Sequence, residues 1–411
     1  MPADTAATAT FGTPVEIPAI ARELKKLWQA DQTRTRASLI NFAIICEGEA
    51  AMQDSTELLE RFVRNHSFHA LLIGIDPHAA ETSVQAWVNA NCYLPKAGAK
   101  HICCEQVSIF VRGKVRELLP NLLFSQLDYD LPLTLWWRCE CPEQVDAEIW
   151  RWVDRLIFDS GAWKDPRRQF AAMHAALGGR RVISNQKSVI SGSAPDAGSQ
   201  SGSLITDPLI TDYSFPSTRT ILGDLNWVRA ANLRQAIAQM YDTPDGAARL
   251  RELRSISLSH APGSRTTALL LLGWFAALLG WKCGKCSTDN PVGSNAAGTD
   301  RIVGTTLPAA SSSQPSLTSA DGTPIACELS ESSGAPIHRV VLEHDDVSIT
   351  VDHPTRAEYL NLTLVWKDGR LTRHLVPADS TDLADILDEE LSRGSRHGIY
   401  LRALAAAEAL M

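Results

Sequence analysis

Apolar residues between positions 15 and 184 form short runs that alternate with amphipathic stretches. The run at 38–46 is apolar almost throughout, which is typical of a strand buried on both faces. Residues 15–33 instead repeat apolar side chains at helical spacing. This alternation predicts an α/β fold with a mostly parallel, doubly wound-like sheet and helices. The predicted strands are 38–46, 70–75, 84–93, 105–111, 131–141 and 155–159, and the predicted helices are 15–33, 57–65, 115–127, 144–153 and 166–177.

Two adjacent tryptophans, Trp136 and Trp137, lie in the strand predicted at 131–141. Successive side chains of a strand point to opposite faces, so the two rings cannot share one pocket. Either both faces of the sheet are covered, as in a parallel α/β sheet, or one ring faces a partner; the alternation of strands and helices favours two covered faces. Ligand clefts in doubly wound sheets form beyond the carboxyl ends of the strands, and Trp137 and Arg138 lie at such an end.

The second half of the chain has a different pattern. Asp224 is a good helix cap, and the stretch from it to Tyr241 is predicted as one helix. A strand at 256–258 and an apolar core helix at 264–281 follow. The last part predicts an antiparallel meander, with a hairpin at Asp368-Gly369, and two closing helices. The predicted strands are 337–342, 347–351, 359–366 and 371–376, with a short strand near Ile325, and the helices are 382–391 and 399–410.

Composition divides these elements into segments. Residues 185–217 are rich in Ser, Gly, Asp and Pro, and predict a flexible loop. Residues 284–323 are poor in apolar side chains, and predict a low-complexity insert. We therefore expect an N-terminal α/β domain at 15–184, a joining segment at 218–283, and a C-terminal α+β domain with an antiparallel sheet at 324–411.

Charge and hydropathy exclude several classes of function. The net charge is −8 and no block of lysine and arginine stands out, so no nucleic-acid partner is expected. The N-terminus lacks the basic and apolar regions of a signal peptide. The longest apolar run, 266–281, is shorter than the ~20 residues that span a bilayer. These features predict a cytoplasmic protein without a membrane partner.

The chain contains nine cysteines, and without an export signal we expect them to be free thiols in a reducing compartment. Cys283 and Cys286 have the C-x-x-C spacing of a redox pair, and neighbouring lysines would favour the thiolate. The same two residues could complete a zinc site with Cys139 and Cys141, or all four could be inert thiols. The adjacent Cys103 and Cys104 are explained by packing in a buried strand.

Catalytic and cofactor signatures are missing from the sequence. It contains no G-x-G-x-x-G after a strand, no Walker loop, no H-E-x-x-H and no G-x-S-x-G. Its histidines are scattered along the chain. We therefore predict no catalytic residue, no metal ligand and no cofactor.

Tryptophan and arginine are the residue types that recur in the centres of protein interfaces. Trp227 and Arg229 share a predicted helix with Arg234, and the two arginines, five positions apart, do not share a helix face. One of them could pair with a carboxylate while the other faces outward. With the strand end described above, they form a predicted partner-binding set of Trp137, Arg138, Trp227, Arg229 and Arg234.

Several stretches carry motifs that occur in the same order in one protein family. They are Arg36-Ala37 with Asn41, Leu131-Pro132 with Trp136-Trp137, Asp154–Ser160, Asp224–Arg229 with Leu233-Arg234 and Tyr241-Asp242, Leu271–Trp274 with Leu278–Trp281, and Leu387–Leu391 with Tyr400. On these motifs the chain resembles the OpcA family, the glucose-6-phosphate dehydrogenase assembly proteins of cyanobacteria and actinobacteria. The resemblance runs from about residue 15 to the end, outside the two low-complexity segments.

The resemblance implies a non-enzymatic protein. Such a protein would bind glucose-6-phosphate dehydrogenase, promote its active oligomer and act as an allosteric activator in the oxidative pentose phosphate pathway. Activation in the family can depend on redox state, which would make thioredoxin a further partner. The alternative is a sugar-phosphate-binding protein or enzyme that uses the cleft at the carboxyl ends of the parallel strands, with Arg138 or Arg229 holding the phosphate.

Overall fold

A computed structural model describes residues 11–29, 34–94, 101–140, 149, 152–170, 220–284, 314–394 and 398–411. Within these residues the N-terminal half forms a nine-stranded sheet of order β1-β5-β6-β4-β3-β7-β8-β9, and β2 pairs with β6. Strands β4, β3, β7, β8 and β9 run parallel, while β5 is antiparallel to β6. The strands are β1 Thr13–Val15, β2 Arg34–Arg36, β3 Ile40–Glu47, β4 Phe68–Asp76, β5 Ser83–Tyr93, β6 His101–Arg112, β7 Leu133–Trp137, β8 Arg155–Phe158 and β9 Ile221–Asp224.

Helices cover both faces of this sheet, as the apolar runs predict. Trp137 packs in one apolar cluster with helices α1 (Ile20–Gln29) and α3 (Val115–Phe124). Trp136 packs in the other cluster with helix α2 (Glu49–Phe62). The two rings are 3% and 1% exposed, so both faces of this strand are covered, as the alternation predicts. A short 3-10 helix, Ile17–Ala19, precedes α1, so the predicted helix at 15–33 is shorter than expected.

The C-terminal half forms an eight-stranded, mostly antiparallel sheet of order β11-β12-β13-β10-β14-β15-β16-β17. The Asp368-Gly369 hairpin is confirmed, and Gly369 adopts φ 86°, a conformation that favours glycine. The strands are β10 Ser255–His260, β11 Lys282–Gly284, β12 Ser316–Thr318, β13 Pro324–Glu331, β14 Ile337–Glu343, β15 Val347–Asp352, β16 Tyr359–Trp366 and β17 Leu371–Pro377. The helices of this half are α4 Leu225–Val228, α5 Ala231–Met240, α6 Gly246–Arg251, α7 Arg265–Leu279, α8 Leu383–Ser392 and α9 Gly398–Leu410.

The helix predicted from Asp224 to Tyr241 is two helices, α4 and α5, with a break at Arg229 and Ala230. The carboxylate of Asp379 accepts hydrogen bonds from the backbone N–H groups of Asn232 and Leu233. A remote carboxylate therefore supplies a second helix start inside the predicted helix. That partner lies about 150 residues away in the chain, so helical periodicity could not reveal it.

The expectation that all cysteines are free thiols was wrong for one pair. Cys92 and Cys103 form a disulfide with an S–S distance of 2.00 Å. They are directly opposite each other on the antiparallel strands β5 and β6. Packing in a buried strand was predicted for both Cys103 and Cys104, because the register that brings Cys92 opposite Cys103 is not visible from spacing. Cys104 is a buried free thiol, as expected.

Helix α7 is a buried core helix, as its apolar run predicts, and it packs closely on α9. A Cβ atom added to Gly273 would lie 2.2 Å from the carbonyl oxygen of Ala403 and 3.1 Å from the Cβ of Ala407. Real side chains do not approach backbone that closely, so the two helix axes require glycine at this position. This contact holds the C-terminal helix against the core.

We expect Gly273→Ala to destabilise the protein, although alanine is the better helix former by about 1 kcal/mol. The added methyl group would push α9 away from α7, at a cost of about 1–3 kcal/mol for overpacking. The measurement is the apparent melting temperature of each purified variant. Gly394→Ala is the matched control, because nothing lies within 4 Å of a Cβ there. A Gly273→Ala variant that melts at or above the wild-type temperature would contradict the proposed close contact.

Helix α8 docks on the first sheet through a buried ion pair. The guanidinium of Arg155 on β8 lies 3.7 Å from the Glu390 carboxylate and donates to the carbonyl oxygens of Glu390 and Arg393. Glu390 also lies so close to β9 that a Cβ on Gly223 would be 2.3 Å from its Oε1. Burial raises the pKa of Glu390 from 4.5 to about 7, against the opposing effects of Arg155 and Arg393.

This raised pKa predicts a pH dependence of stability. Between pH 4.5 and about 7 the folded protein keeps a proton that the unfolded chain has released, so the free energy of unfolding falls as the pH rises. The loss from this one group approaches about 3 kcal/mol. We expect Glu390→Gln to show a smaller drop in melting temperature between pH 5 and pH 8 than the wild type. Equal drops in the two proteins would contradict the assignment.

Candidate functional site at the carboxyl edge of the parallel sheet

The connections of the first sheet change direction between β3 and β7, which is where doubly wound folds bind nucleotides. At the end of β3, Gly48 adopts φ 84° and precedes the first residue of α2. Two carboxylates, Glu47 and Glu49, flank this glycine. A pyrophosphate at the helix start would therefore meet two negative charges in place of a glycine-rich loop.

Arg138 follows β7 at the same edge and is fully engaged with helix α2. Its guanidinium donates to the carbonyl oxygen of Ala51 at 2.9 Å and to the hydroxyl of Ser55 at 2.8 Å. It lies 3.5 Å from Asp54 and 5.3 Å from the centre of the Trp136 ring. The side chain is only 19% exposed. Arg138 therefore anchors β7 to α2.

Asp224, at the end of β9, is the centre of a buried hydrogen-bond network. Its carboxylate accepts from the backbone N–H and hydroxyl of Ser160, at 3.0 and 2.6 Å, and from the backbone N–H of Asn226 at 2.9 Å. The bond to Asn226 confirms that Asp224 caps a helix. Burial raises the pKa of Asp224 to about 6, although these hydrogen bonds favour the charged form.

The same network joins the two halves of the chain. The hydroxyl of Tyr400 on α9 donates to Asp224 at 3.1 Å. The hydroxyl of Thr267 on α7 donates to the side-chain oxygen of Asn226 at 2.7 Å, and the Asn226 amide donates to Ser160. Elements of the second half are thus fixed to the ends of β8 and β9 by polar contacts that no solvent reaches.

Arg229 lies beside this network in the break between α4 and α5. Both of its terminal nitrogens bind the carboxylate of Asp159, each at 2.6 Å. Burial opposes the charge, yet the Asp159 pair holds the pKa of Arg229 above its ordinary value. A bidentate pair of this kind is strong and directional, so it fixes the corner between the helices to the end of β8.

Arg234 is buried and does not face outward. It lies 3.5 Å from the centre of the Trp227 ring and donates to the backbone carbonyl of Trp227 at 2.8 Å. Burial lowers the pKa of Arg234 to about 9. The Trp227 ring in turn contacts the ring of Tyr400, with centroids 5.4 Å apart. The arginine therefore stabilises the core of α4 and α5.

A small cavity opens beside Arg229 where the second sheet meets helices α5 and α7. Its volume is about 90 Å³. Drug-sized ligands and cofactors occupy pockets of about 300–1,000 Å³, so this cavity is too small for a nucleotide. The lining residues are Arg229, Ala230, Leu233, Thr267, Pro336, Ile337, His353, Leu360, Asp379, Ser380 and Thr381.

The predicted partner-binding residues are thus brought to one edge of the sheet but are mostly buried. Trp227, Arg229 and Arg234 follow β9, and Trp137 and Arg138 lie at the end of β7, two strands away in the same sheet. The roles of Asp379 and Tyr400 were not predicted, because both residues reach the site from remote parts of the chain. The Asp154–Ser160 motif was the one available signal for Asp159 and Ser160.

Only some of the cysteines in the redox and zinc hypotheses lie within the described residues. Cys283, in β11, is half-buried, and burial raises the pKa of its thiol to about 11, which opposes the reactive thiolate expected from the neighbouring lysines. Cys286 and Cys141 lie outside the described residues. Among the residues that are described, no group of three potential ligands could hold a metal ion.

None of the described helices combines the length and apolar character needed to cross a bilayer. Helix α7, which contains the longest apolar run, has 15 residues and is buried by the protein itself.

Two domain models of one family match this chain. The model described as the glucose-6-phosphate dehydrogenase subunit N-terminal domain matches residues 65–175, and the model described as the C-terminal domain of that subunit matches residues 220–404. Together they cover well over half of the chain.

Individual relatives agree with the domain models. The OxPP cycle protein OpcA of Nostoc punctiforme is 27% identical over 216 residues, which cover 51% of this chain and 38% of that protein. The protein of the same name from Synechococcus elongatus is 24% identical over 202 residues, which cover 48% of this chain and 37% of that protein. The matched part of the chain therefore spans less than two-fifths of the length of these relatives.

Solved structures give only distant similarity. UDP-N-acetylglucosamine 3-dehydrogenase GnnA from Acidithiobacillus ferrooxidans is 11% identical with a TM-score of 0.37, over 90% of this chain and 97% of that chain. That score is too low to support any functional comparison.

The matched domain models and the named relatives show that the chain belongs to the OpcA family.

Proposed function

We propose that this chain is a non-catalytic protein that binds glucose-6-phosphate dehydrogenase and promotes the enzyme's active oligomer in the oxidative pentose phosphate pathway. The observation that carries the proposal is the match of both halves of the chain to domain models described as parts of a glucose-6-phosphate dehydrogenase subunit. An activator of this kind binds the active state of the enzyme more tightly than the inactive state, since only differential affinity shifts an equilibrium.

The carboxyl edge of the parallel sheet supports a non-catalytic role. Glu47 and Glu49 occupy the place where a doubly wound enzyme holds phosphate. The two arginines that could have held a sugar phosphate are committed elsewhere, Arg138 to helix α2 and Arg229 to Asp159. A phosphate would have to break these contacts before it could bind either guanidinium.

The predicted partner-binding residues then act mainly as supports of the docking surface. Trp137, Trp227 and Arg234 are at most 9% exposed, so they offer a partner little area. Arg138 and Arg229 are about one-fifth exposed and lie at the rim of the same edge. We propose that Arg229 holds the corner between α4 and α5 in the shape that the dehydrogenase recognises.

The direct test adds the purified chain to its cognate dehydrogenase. We expect a higher rate at low glucose 6-phosphate concentration and a larger oligomer by light scattering. In parallel, thermal melts of the chain alone with glucose 6-phosphate, 6-phosphogluconate or NADP should show no stabilisation. An unchanged rate, substrate dependence and oligomer size would reject the proposal, and catalysis by the chain alone would reject its non-catalytic part.

The role of Arg229 can be tested separately with Arg229→Met. Loss of the pair with Asp159 frees the corner of α4 and α5, so we expect the half-maximal activating concentration to rise about tenfold, or about 1.4 kcal/mol. Arg22→Met is the matched control, because the Arg22 side chain is 70% exposed on α1. If Arg229→Met keeps the wild-type melting curve and activates fully, Arg229 does not support docking, and the dehydrogenase-binding proposal is unaffected.

A further inference from the structure

One face of the second sheet is packed and the other is open. Along β15, Val347, Ile349 and Val351 are buried in the core, while Ser348, Thr350 and Asp352 are half-exposed on the opposite face. The same alternation continues across β10, β13, β14 and β16, while the edge strand β17 is exposed along most of its length. We call the outward side chains of these six strands the open face; they are exposed or half-exposed throughout.

The open face has the composition of a surface that another sheet can approach. Its centre is built from short hydroxyl and β-branched side chains, and no lysine occurs on it. Short side chains leave the surface flat, which allows two sheets to pack about 10 Å apart. The central residues are Ser257, Ser259, Val341, Thr350 and Thr363.

The register of the strands arranges charges at opposite ends of this face. One row across the sheet begins at Glu328 on β13, passes Ser257, Val341, Thr350 and Thr363, and ends at Arg373 on β17. The neighbouring row carries Arg339 on β14 and Asp352 on β15, which are adjacent across the middle of the sheet. Opposite charges therefore lie at equal distances from a line between β14 and β15.

We propose that the open face binds the open face of a second copy of this chain, about a two-fold axis that runs parallel to the strands between β14 and β15. This rotation places Glu328 over the second copy's Arg373, and Arg339 over the second copy's Asp352. Both pairs occur twice, because a two-fold interface is isologous. Glu343 faces the second copy's Ser348, so no like charges meet.

The apolar side chains of the edge strand also find partners in this arrangement. Leu371 and Leu375, which are 54% and 69% exposed, come to lie over the second copy's Ala326 and Ser330. A two-fold axis perpendicular to the strands is excluded by charge, because it would set Glu328 against Glu328 and Arg373 against Arg373. The charge pattern thus selects one axis of the two.

The size of the open face is sufficient for a specific dimer. Six strands at about 4.8 Å and six residues of about 3.4 Å each give a face of roughly 29 by 20 Å. Two such faces bury about 1,200 Å² in total, which exceeds the ~1,000 Å² expected of a specific interface but lies at the low end of the range. We therefore expect a reversible dimer whose mass depends on concentration and salt.

Charge reversal tests this interface without touching the core. Sedimentation velocity of the wild-type chain, measured over a series of rising concentrations, should show a monomer–dimer equilibrium. Glu328→Arg alone and Arg373→Glu alone should each weaken the dimer about tenfold or more, because each creates two like-charge contacts. The double variant Glu328→Arg/Arg373→Glu should restore the wild-type dissociation constant, and an equimolar mixture of the two single variants should form a heterodimer.

Glu117→Arg and Arg22→Glu are matched controls, because both side chains are exposed on helices of the first half, and neither should change the dimer. A wild-type chain that stays monomeric throughout the concentration series would overturn the proposal and leave the open face to a different protein. A dimer of unchanged affinity in both single variants would also overturn it, because the contact would then lie elsewhere. Binding of the dehydrogenase is measured independently of either result.

Discussion

The buried carboxylate of Asp224 fixes the arrangement of everything beyond the carboxyl ends of β8 and β9. It caps α4, binds Ser160 in the loop after β8, and accepts a hydrogen bond from Tyr400 on the last helix. Burial raises its pKa to about 6, which shows that the charged form is costly here. Four directed hydrogen bonds to the carboxylate stabilise that charge. The positions of Trp227 and Arg229 follow from the start of α4 that this carboxylate sets.

The arginines at this edge of the sheet are bonded within the chain, and this limits what the edge can bind. In a doubly wound enzyme the same region presents free donors to phosphate. Here Arg138, Arg229 and Arg234 are bound to other parts of the chain. We propose that the molecule acts through its surfaces, and that the buried arginines and tryptophans form the framework that gives those surfaces their shape.

Local pattern predicted most of the architecture. The continuous apolar runs predicted strands covered on both faces, and Trp136 and Trp137 are buried on opposite sides as expected. The sequence pattern did not predict those features that depend on a residue distant in the chain. Asp379 splits the predicted helix after Asp224, and the β5–β6 register places Cys92 opposite Cys103. The predicted site residues were chosen from tryptophan and arginine motifs, and their burial depends on tertiary packing that spacing cannot report.

The central claim is that the chain binds the active state of glucose-6-phosphate dehydrogenase more tightly than the inactive state. Linkage makes this claim reciprocal: if the chain raises the enzyme's affinity for substrate, substrate must raise the enzyme's affinity for the chain by the same factor. The decisive measurement is the dissociation constant of the chain from its cognate dehydrogenase, with and without saturating glucose 6-phosphate. The account predicts tighter binding with substrate present. An identical dissociation constant in both conditions, or no binding in either, would contradict it.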